Sequence, residues 1–224
     1  GGNPIEIPTI KIEKVQDNKE LENEIKNIKD YTYLVLTSKN GVDIFFDKLD
    51  EMGLDCRALA NIKVCSIGAA TSKAIQRRGI KPDIQPKNAV GESLYDELKD
   101  IVTKDDKILI PRAKNARKFL VEKLNEISNV TEVITYESVM DDSKKEEAIK
   151  ALEEGNLDYI TFASSSTVTN FIKLIGEENK DKLSNTKIIS IGRITTKTIL
   201  DNNLEVYKQA ENASIESMIE AMSE

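Results

Sequence analysis

Short runs of branched and aromatic residues alternate with longer amphipathic stretches along the chain. Residues 33–37 and 159–163 have strand length and are rich in β-branched or aromatic side chains. Each leads into a Ser/Asn-rich turn suited to capping a helix. After residues 164–167 come Val168, Phe171, Ile172 and Ile175, which is helical spacing. Residues 64–67 and 188–191 are continuous apolar runs, the pattern of strands buried on both faces. Each ends in a glycine, Gly68 or Gly192, and opens a helix whose stop signal is Gly79 or Asn203. Residues 107–112 predict a further strand. Residues 115–127 predict an amphipathic helix with Phe119, Leu120 and Leu124 inward, and 130–139 an extended segment holding Tyr136. Strand, turn and helix in alternation predict an α/β protein with parallel sheets covered on both faces.

The pattern occurs twice. The run from Tyr33 to Val42 resembles the run from Tyr159 to Val168, 126 positions on. Residues 62–68 and 71–75 resemble 186–192 and 195–199, and 88–94 resemble 212–218, at an offset of 124. Three matches in order, at nearly constant spacing, point to an internal duplication. Residues 5–12 align with 132–139 at an offset of 127, which sets Gly1 against Ser128. On that register the counterpart of the strand and helix at 107–127 would precede Gly1, and the expectation is that this βα unit lies outside the chain.

Composition narrows the chemistry. The chain has 32 basic and 39 acidic residues in 224, a net charge of −7, so duplex nucleic acid is not an expected partner. No apolar run approaches the roughly 20 residues of a bilayer span, and no basic leader precedes an apolar core. Neither a membrane nor secretion is expected. Histidine is absent, which removes Ser-His-Asp and Cys-His nucleophiles and HExxH metal sites. Two cysteines, Cys56 and Cys65, make neither a disulfide framework nor a four-ligand zinc site. The expectation is a cytoplasmic protein working without metal or cofactor. No GxGxxG or GxxxxGK[ST] is present, so nucleotide binding has no motif to rest on.

What remains is a set of hydroxyl, amide and glycine positions at the carboxyl ends of the expected strands. These are Thr37, Ser38, Lys39 and Asn40; Gly68; Arg112; Ser164, Ser165 and Ser166; and Gly192, Thr195 and Thr196. Ligands of open α/β sheets bind at that end, where helix N-termini offer free N–H groups to carboxylates or phosphates. Each such turn also reads as a plain helix cap. Converging on one cleft, they would suit a ligand with many negative charges. Tyr136 reads either as a phenol facing that cleft, able to donate a proton, or as packing. Arg112 reads as a bidentate carboxylate ligand or as a surface ion pair. Cys65 lies in an apolar strand and is expected in the core, and Cys56 is not a credible nucleophile.

Taken together, these segments resemble the uroporphyrinogen-III synthase family. The resemblance rests on residues 36–42, Ser66 to Thr71 with Gly79, 108–112, Ile134 to Tyr136, 161–168 and 191–195. Arg193 stands where the family usually has proline, and the family's opening strand and helix have no counterpart. The resemblance implies two flavodoxin-like parallel-sheet domains joined by a two-stranded β-ladder. Carried over, the ladder strands are residues 1–12 and 130–140, the first domain 13–129 and the second 141–224. It also implies cyclisation of hydroxymethylbilane to uroporphyrinogen III, with inversion of ring D and loss of water. Tyr136 would protonate the leaving hydroxyl, and the turn residues above would hold the carboxylate arms. Porphobilinogen deaminase and a fused or adjacent methyltransferase are the implied partners. The missing unit would belong to the second domain and leave it incomplete, so a second copy of the chain that patches the gap is also expected. The alternative is a homologue that only binds polyanionic ligands.

Overall fold

The computed structural model describes residues 2–155 and 157–223. Gly1 and Glu224, the outer limits of the expected segments, lie outside the described residues. The chain divides into two compact units, one of Ile12–Ser138 and one of Gly1–Lys11 with Val139–Glu224.

Strand β1 (Ile10–Lys14), which enters the first of these units at Ile12, and α1 (Lys19–Lys26) precede β2 (Tyr33–Leu36). Then follow α2 (Lys39–Glu51), β3 (Lys63–Ser66), α3 (Ala69–Arg77) and α4 (Gly91–Leu98). The unit closes with β4 (Lys107–Ala113), α5 (Phe119–Ile127) and β5 (Asn129–Met140), which leaves the unit after Ser138. Among the described residues these strands form a five-stranded sheet in the order β1-β5-β4-β2-β3. The pairs β2–β3, β2–β4 and β4–β5 are parallel. Every residue of β2 is buried, as its unbroken apolar run requires of a central strand. Helix α2 turns Val42, Phe45, Phe46 and Leu49 into the core, the i, i+3, i+4, i+7 stripe of a half-buried helix. Removing a fully buried ring such as Phe45 would cost about 3–5 kcal/mol.

The other unit contains α6 (Lys145–Glu153), β6 (Tyr159–Phe162), α7 (Ser165–Ile175), β7 (Lys187–Ser190), α8 (Arg193–Asp201), β8 (Lys208–Gln209) and α9 (Ile215–Ser223). Its strands are parallel in the order β6-β7-β8. Val168, Phe171, Ile172 and Ile175 fill its core from α7, the repeat of the α2 stripe. A groove of about 750 Å3 runs beside β6, lined in part by Tyr159, Thr161, Phe171, Ile5 and Ile7.

Two expected boundaries move. The paired segments read as residues 1–12 and 130–140 form β1 beside β5, and the pair belongs to the larger sheet. Residues 2–9 stay outside strands, where Pro4 and Pro8 remove two donors from any ladder. The helix expected from residue 115 starts at Phe119. The Arg112 guanidinium takes the Ala116 carbonyl, which holds the preceding turn out of the helix.

The duplication extends to side-chain hydrogen bonds. Ser66 Oγ lies 2.6 Å from Ser72 Oγ, and Ser72 donates onward to Gln85 Oε1. In the other unit Ser190 Oγ lies 2.6 Å from Thr196 Oγ1, which donates to Gln209 Oε1 at 2.8 Å. Each chain of hydroxyls ties the end of a strand to the following helix and to the next strand or extended segment.

Candidate functional site

Strand β2 has β3 on one side and β4 on the other, so successive connections leave it in opposite directions. Such a switch point opens a crevice at the carboxyl ends of the strands, where ligands of open α/β sheets bind. Thr37 and Ser38 leave β2 at this point, and the backbone of β4 passes close by. A Cβ placed on Gly41 would lie 3.6 Å from the Pro111 carbonyl oxygen.

Ser38 is the N-cap of α2. Its extended backbone and its Oγ, accepting from the Gly41 N–H at 3.0 Å, are what a capping serine provides. The same oxygen lies 2.7 Å from the Tyr136 hydroxyl. Tyr136 reaches that position through an irregularity in β5. The register with β4 pairs Arg112 with Ile134 but Ala113 with Tyr136, leaving Thr135 as the extra residue of a bulge. Thr135 and Tyr136 are both buried at this irregularity, where the alternation of a regular strand is interrupted. The Thr135 hydroxyl donates to the Arg112 carbonyl at 3.2 Å and fixes the bulge. The Val15 and Lys114 N–H groups, donating to the Thr135 and Tyr136 carbonyls, hold it from either side.

Arg112 turns inward. Its side chain is 3 % exposed, and Nη1 lies 3.0 Å from Glu132 Oε1 without the alignment of a hydrogen bond. Nε donates to the Ala113 carbonyl, and Nη2 to that of Ala116. Sequence offers a substrate ligand or a surface pair; the structure gives this cation a carboxylate of its own and two backbone oxygens. Lys39 is exposed and Asn40 half-buried in the first turn of α2. Gly68, with φ +79°, turns β3 into α3, and a Cβ there would meet the Ala89 Cβ at 2.8 Å.

In the other unit Ser164 caps α7 by the same geometry, accepting from the Thr167 N–H at 3.1 Å. Its hydroxyl sits among those of Ser166 at 2.9 Å and Thr167 at 2.5 Å. Ser165 is half-buried and Ser166 exposed. Thr195 is buried, Thr196 serves the hydroxyl chain to Gln209, and Gly192 is extended with φ 175°. The structure thus brings Ser38 and Tyr136 into contact and groups Ser164 with Ser166. It uses Arg112 and Thr196 internally. Cys65 is fully buried, which pushes its thiol up to about 12. A polar hollow of about 380 Å3, lined by Tyr31, Lys107 and Asn129 among others, lies at the amino ends of β4 and β5, the other end of the sheet from Thr37 and Ser38.

Fold and turns define a doubly wound α/β protein whose hydroxyl-rich strand ends are built around helix N-caps. The chain belongs to the uroporphyrinogen-III synthase family: the profile described as Uroporphyrinogen-III synthase HemD matches residues 1–220. It is 34 % identical over 226 residues to the porphyrin biosynthesis protein HemD of Ruminiclostridium josui, covering all of this chain and 44 % of that relative. The chain thus spans less than half the length of that relative. It is 26 % identical over 232 residues to the uroporphyrinogen-III synthase of Synechococcus elongatus, covering all of this chain and 86 % of that one. In fold it is similar to a mutant uroporphyrinogen III synthase from the extremely thermophilic bacterium Thermus thermophilus, with a TM-score of 0.61 and 18 % identity over 96 % of this chain and 86 % of that chain. The uroporphyrinogen-III synthetase of Helicobacter pylori gives 0.59 and 19 % over 95 % and 88 %.

Proposed function

We propose that this chain cyclises hydroxymethylbilane to uroporphyrinogen III, inverting ring D and releasing water. The family match over residues 1–220 carries the reading. The linear substrate is an octacarboxylate with a labile terminal hydroxyl and closes unaided to the wrong isomer. The protein therefore has to impose a geometry and help the hydroxyl leave, and orientation outweighs strong acid–base chemistry. A chain without histidine fits that division of labour.

In this reading Tyr136 protonates the departing hydroxyl, which leaves as water with the electron pair of its C–O bond. The substituted carbon of ring D attacks the resulting azafulvene, and the spiro intermediate fragments and recloses. Hydroxyls and N–H groups at Thr37, Lys39 and Asn40, beside Ser38 and Tyr136, receive carboxylate arms. Exposed or half-buried positions at the start of α2 support this for Lys39 and Asn40. Among the described residues no helix is long and apolar enough to cross a membrane, and we place the reaction in the cytoplasm. Porphobilinogen deaminase is the proposed supplier of so unstable a substrate.

Initial rates in an assay coupled to that deaminase test the proposal: type III product is expected. Among the described residues β6 pairs with β7 alone, which favours one second reading, an inactive homologue that only binds polyanionic ligands; only type I product would support it. Tyr136→Phe is expected to lower the type III rate about tenfold or more, the low end of general-acid contributions because the leaving group is labile. A rate within a few-fold of the parent would remove the acid role.

A further inference from the structure

The duplication supplies an internal control for Ser38. Both capping serines accept the N–H three residues on, at 3.0 Å for Ser38 and 3.1 Å for Ser164. The Ser164 oxygen has the hydroxyls of its own turn as further neighbours. Ser38 has instead the Tyr136 phenol at 2.7 Å, brought there by a bulge from a different strand. Capping alone does not require that contact, since α7 is capped without one.

A serine oxygen carries one proton and two acceptor sites. The Gly41 N–H occupies one acceptor site of Ser38, which leaves two arrangements with Tyr136. If the phenol donates to Ser38, its proton is engaged. If Ser38 donates to the phenol oxygen, the phenolic proton is free for a substrate. Only the second arrangement stabilises the oxygen once that proton has gone, because a hydroxyl donating to an anion makes a strong, charge-assisted bond. The N-terminus of α2 places partial positive charge on the same side.

We infer that Ser38 is the positioning residue of Tyr136, donating its hydroxyl proton to the phenol oxygen as the phenol protonates the leaving hydroxyl. This rests on the proton-donor reading of Tyr136. The Tyr136 proton and the C–O electron pair leave together as water. The phenolate accepts from Ser38 Oγ. The proton lost from the α-carbon of ring D, as that pyrrole regains its aromaticity after reclosure, restores Tyr136.

The test compares Ser38→Ala, Ser38→Thr, Ser38→Asp, Tyr136→Phe and the Ser38→Ala/Tyr136→Phe double variant. Each is followed for type III formation and for melting temperature. Threonine keeps both the cap and the proton, and is expected to stay within about threefold of the parent. Aspartate keeps the cap but has no proton to give at neutral pH. Ser38→Ala and Ser38→Asp should both lower kcat about tenfold with KM little changed, and Ser38→Asp should keep the parental melting temperature. On the Tyr136→Phe background, Ser38→Ala should add less than about twofold. Recovery of kcat by aspartate would reduce Ser38 to a cap, and a raised KM at unchanged kcat would make it a substrate contact; either overturns the inference. Loss of activity in Tyr136→Phe with an unaffected Ser38→Ala would overturn it too, while leaving the proton-donor reading intact. Parental activity in Tyr136→Phe would remove both.

Discussion

Tyr136 owes its place to a residue with no reactive chemistry, Thr135. In an unbroken strand the two side chains would point to opposite faces of the sheet; the bulge at Thr135 breaks that alternation beside Tyr136. Thr135 is 1 % exposed, and the bond from its hydroxyl to the Arg112 carbonyl ties the bulge to β4. Thr135→Val keeps shape and β-propensity but removes that donor. It is expected to cost about 1–2 kcal/mol in urea unfolding, and to lower type III formation further than that loss of stability explains. Unchanged kinetics in a folded Thr135→Val variant would show that the bulge holds without the hydroxyl. Nothing in the residue pattern announces this bulge: residues 130–139 read as extended, and extended they are. Tyr136 is legible as a candidate because it lies in an extended segment read as connecting two domains, where a phenol could face a cleft. Its partner is not, because Ser38 and Tyr136 are 98 positions apart and meet only through tertiary pairing. Arg112 shows the converse. A cation after a strand and a proline suggests a ligand, and only the folded chain reveals Glu132 and two carbonyls already waiting for it. Cys65 is the easier case, since an apolar strand leaves a thiol no solvent. With its thiol at about 12, Cys65 is expected to resist thiol reagents at pH 8 until unfolding, while the half-buried Cys56 reacts first. Rapid labelling of Cys65 in the native protein, read by peptide mass, would contradict the buried placement.

At the level of elements, the repeat makes most of the architecture legible. Branched runs, capping serines and the four-residue apolar stripe recur at fixed offsets, and local chemistry and helical period suffice to read them. The duplicated strand-to-helix turns show where that reading stops. Gly68 and Gly192 occupy the same register and look equivalent in sequence. Gly68 has φ +79° and no room beside Ala89, whereas Gly192 is extended with open space around it. Gly68→Ala therefore combines a left-handed backbone with a clash and is expected to destabilise its unit by more than about 1 kcal/mol. Gly192→Ala should fall within about 0.5 kcal/mol of the parent. Denaturant unfolding of the two variants side by side checks this, and equal losses would mean that the turns are alike after all. The serine and threonine of the second turn carry a related lesson. Thr196 reads as a ligand-facing hydroxyl, yet its role repeats that of Ser72, joining strand to helix. Short polar side chains at a strand end serve the fold and the ligand with the same atoms, and sequence does not separate the two uses.

Across the whole molecule the two copies differ most at one strand edge. In the unit of Ile12–Ser138, β2 is flanked by β3 and β4, and all four of its residues are buried. In the other unit β6, its counterpart, pairs with β7 alone among the described residues, and Thr161 is exposed. The Lys187 and Ile191 N–H groups donate to the Asp158 and Phe162 carbonyls, so residues 158, 160 and 162 face β7. By strand alternation Tyr159 and Thr161 present their backbone groups to the opposite, open side, along the 750 Å3 groove. An edge of this kind leaves amides without a ladder partner and invites further pairing. The amide of Thr161 is therefore expected to exchange with solvent deuterium about a hundredfold faster than that of Val35, which occupies the same register inside the larger sheet. The prediction belongs to this scale because nothing local distinguishes the two positions: each sits in a short β-branched strand followed by a capping serine. Only the strand supplied from residues 107–113 separates them. Equal protection of Thr161 and Val35 at micromolar protein concentration would show that the β6 edge is already covered in solution. A dependence of Thr161 protection on concentration would identify the cover as another copy of the chain, and its absence would point to pairing within one molecule.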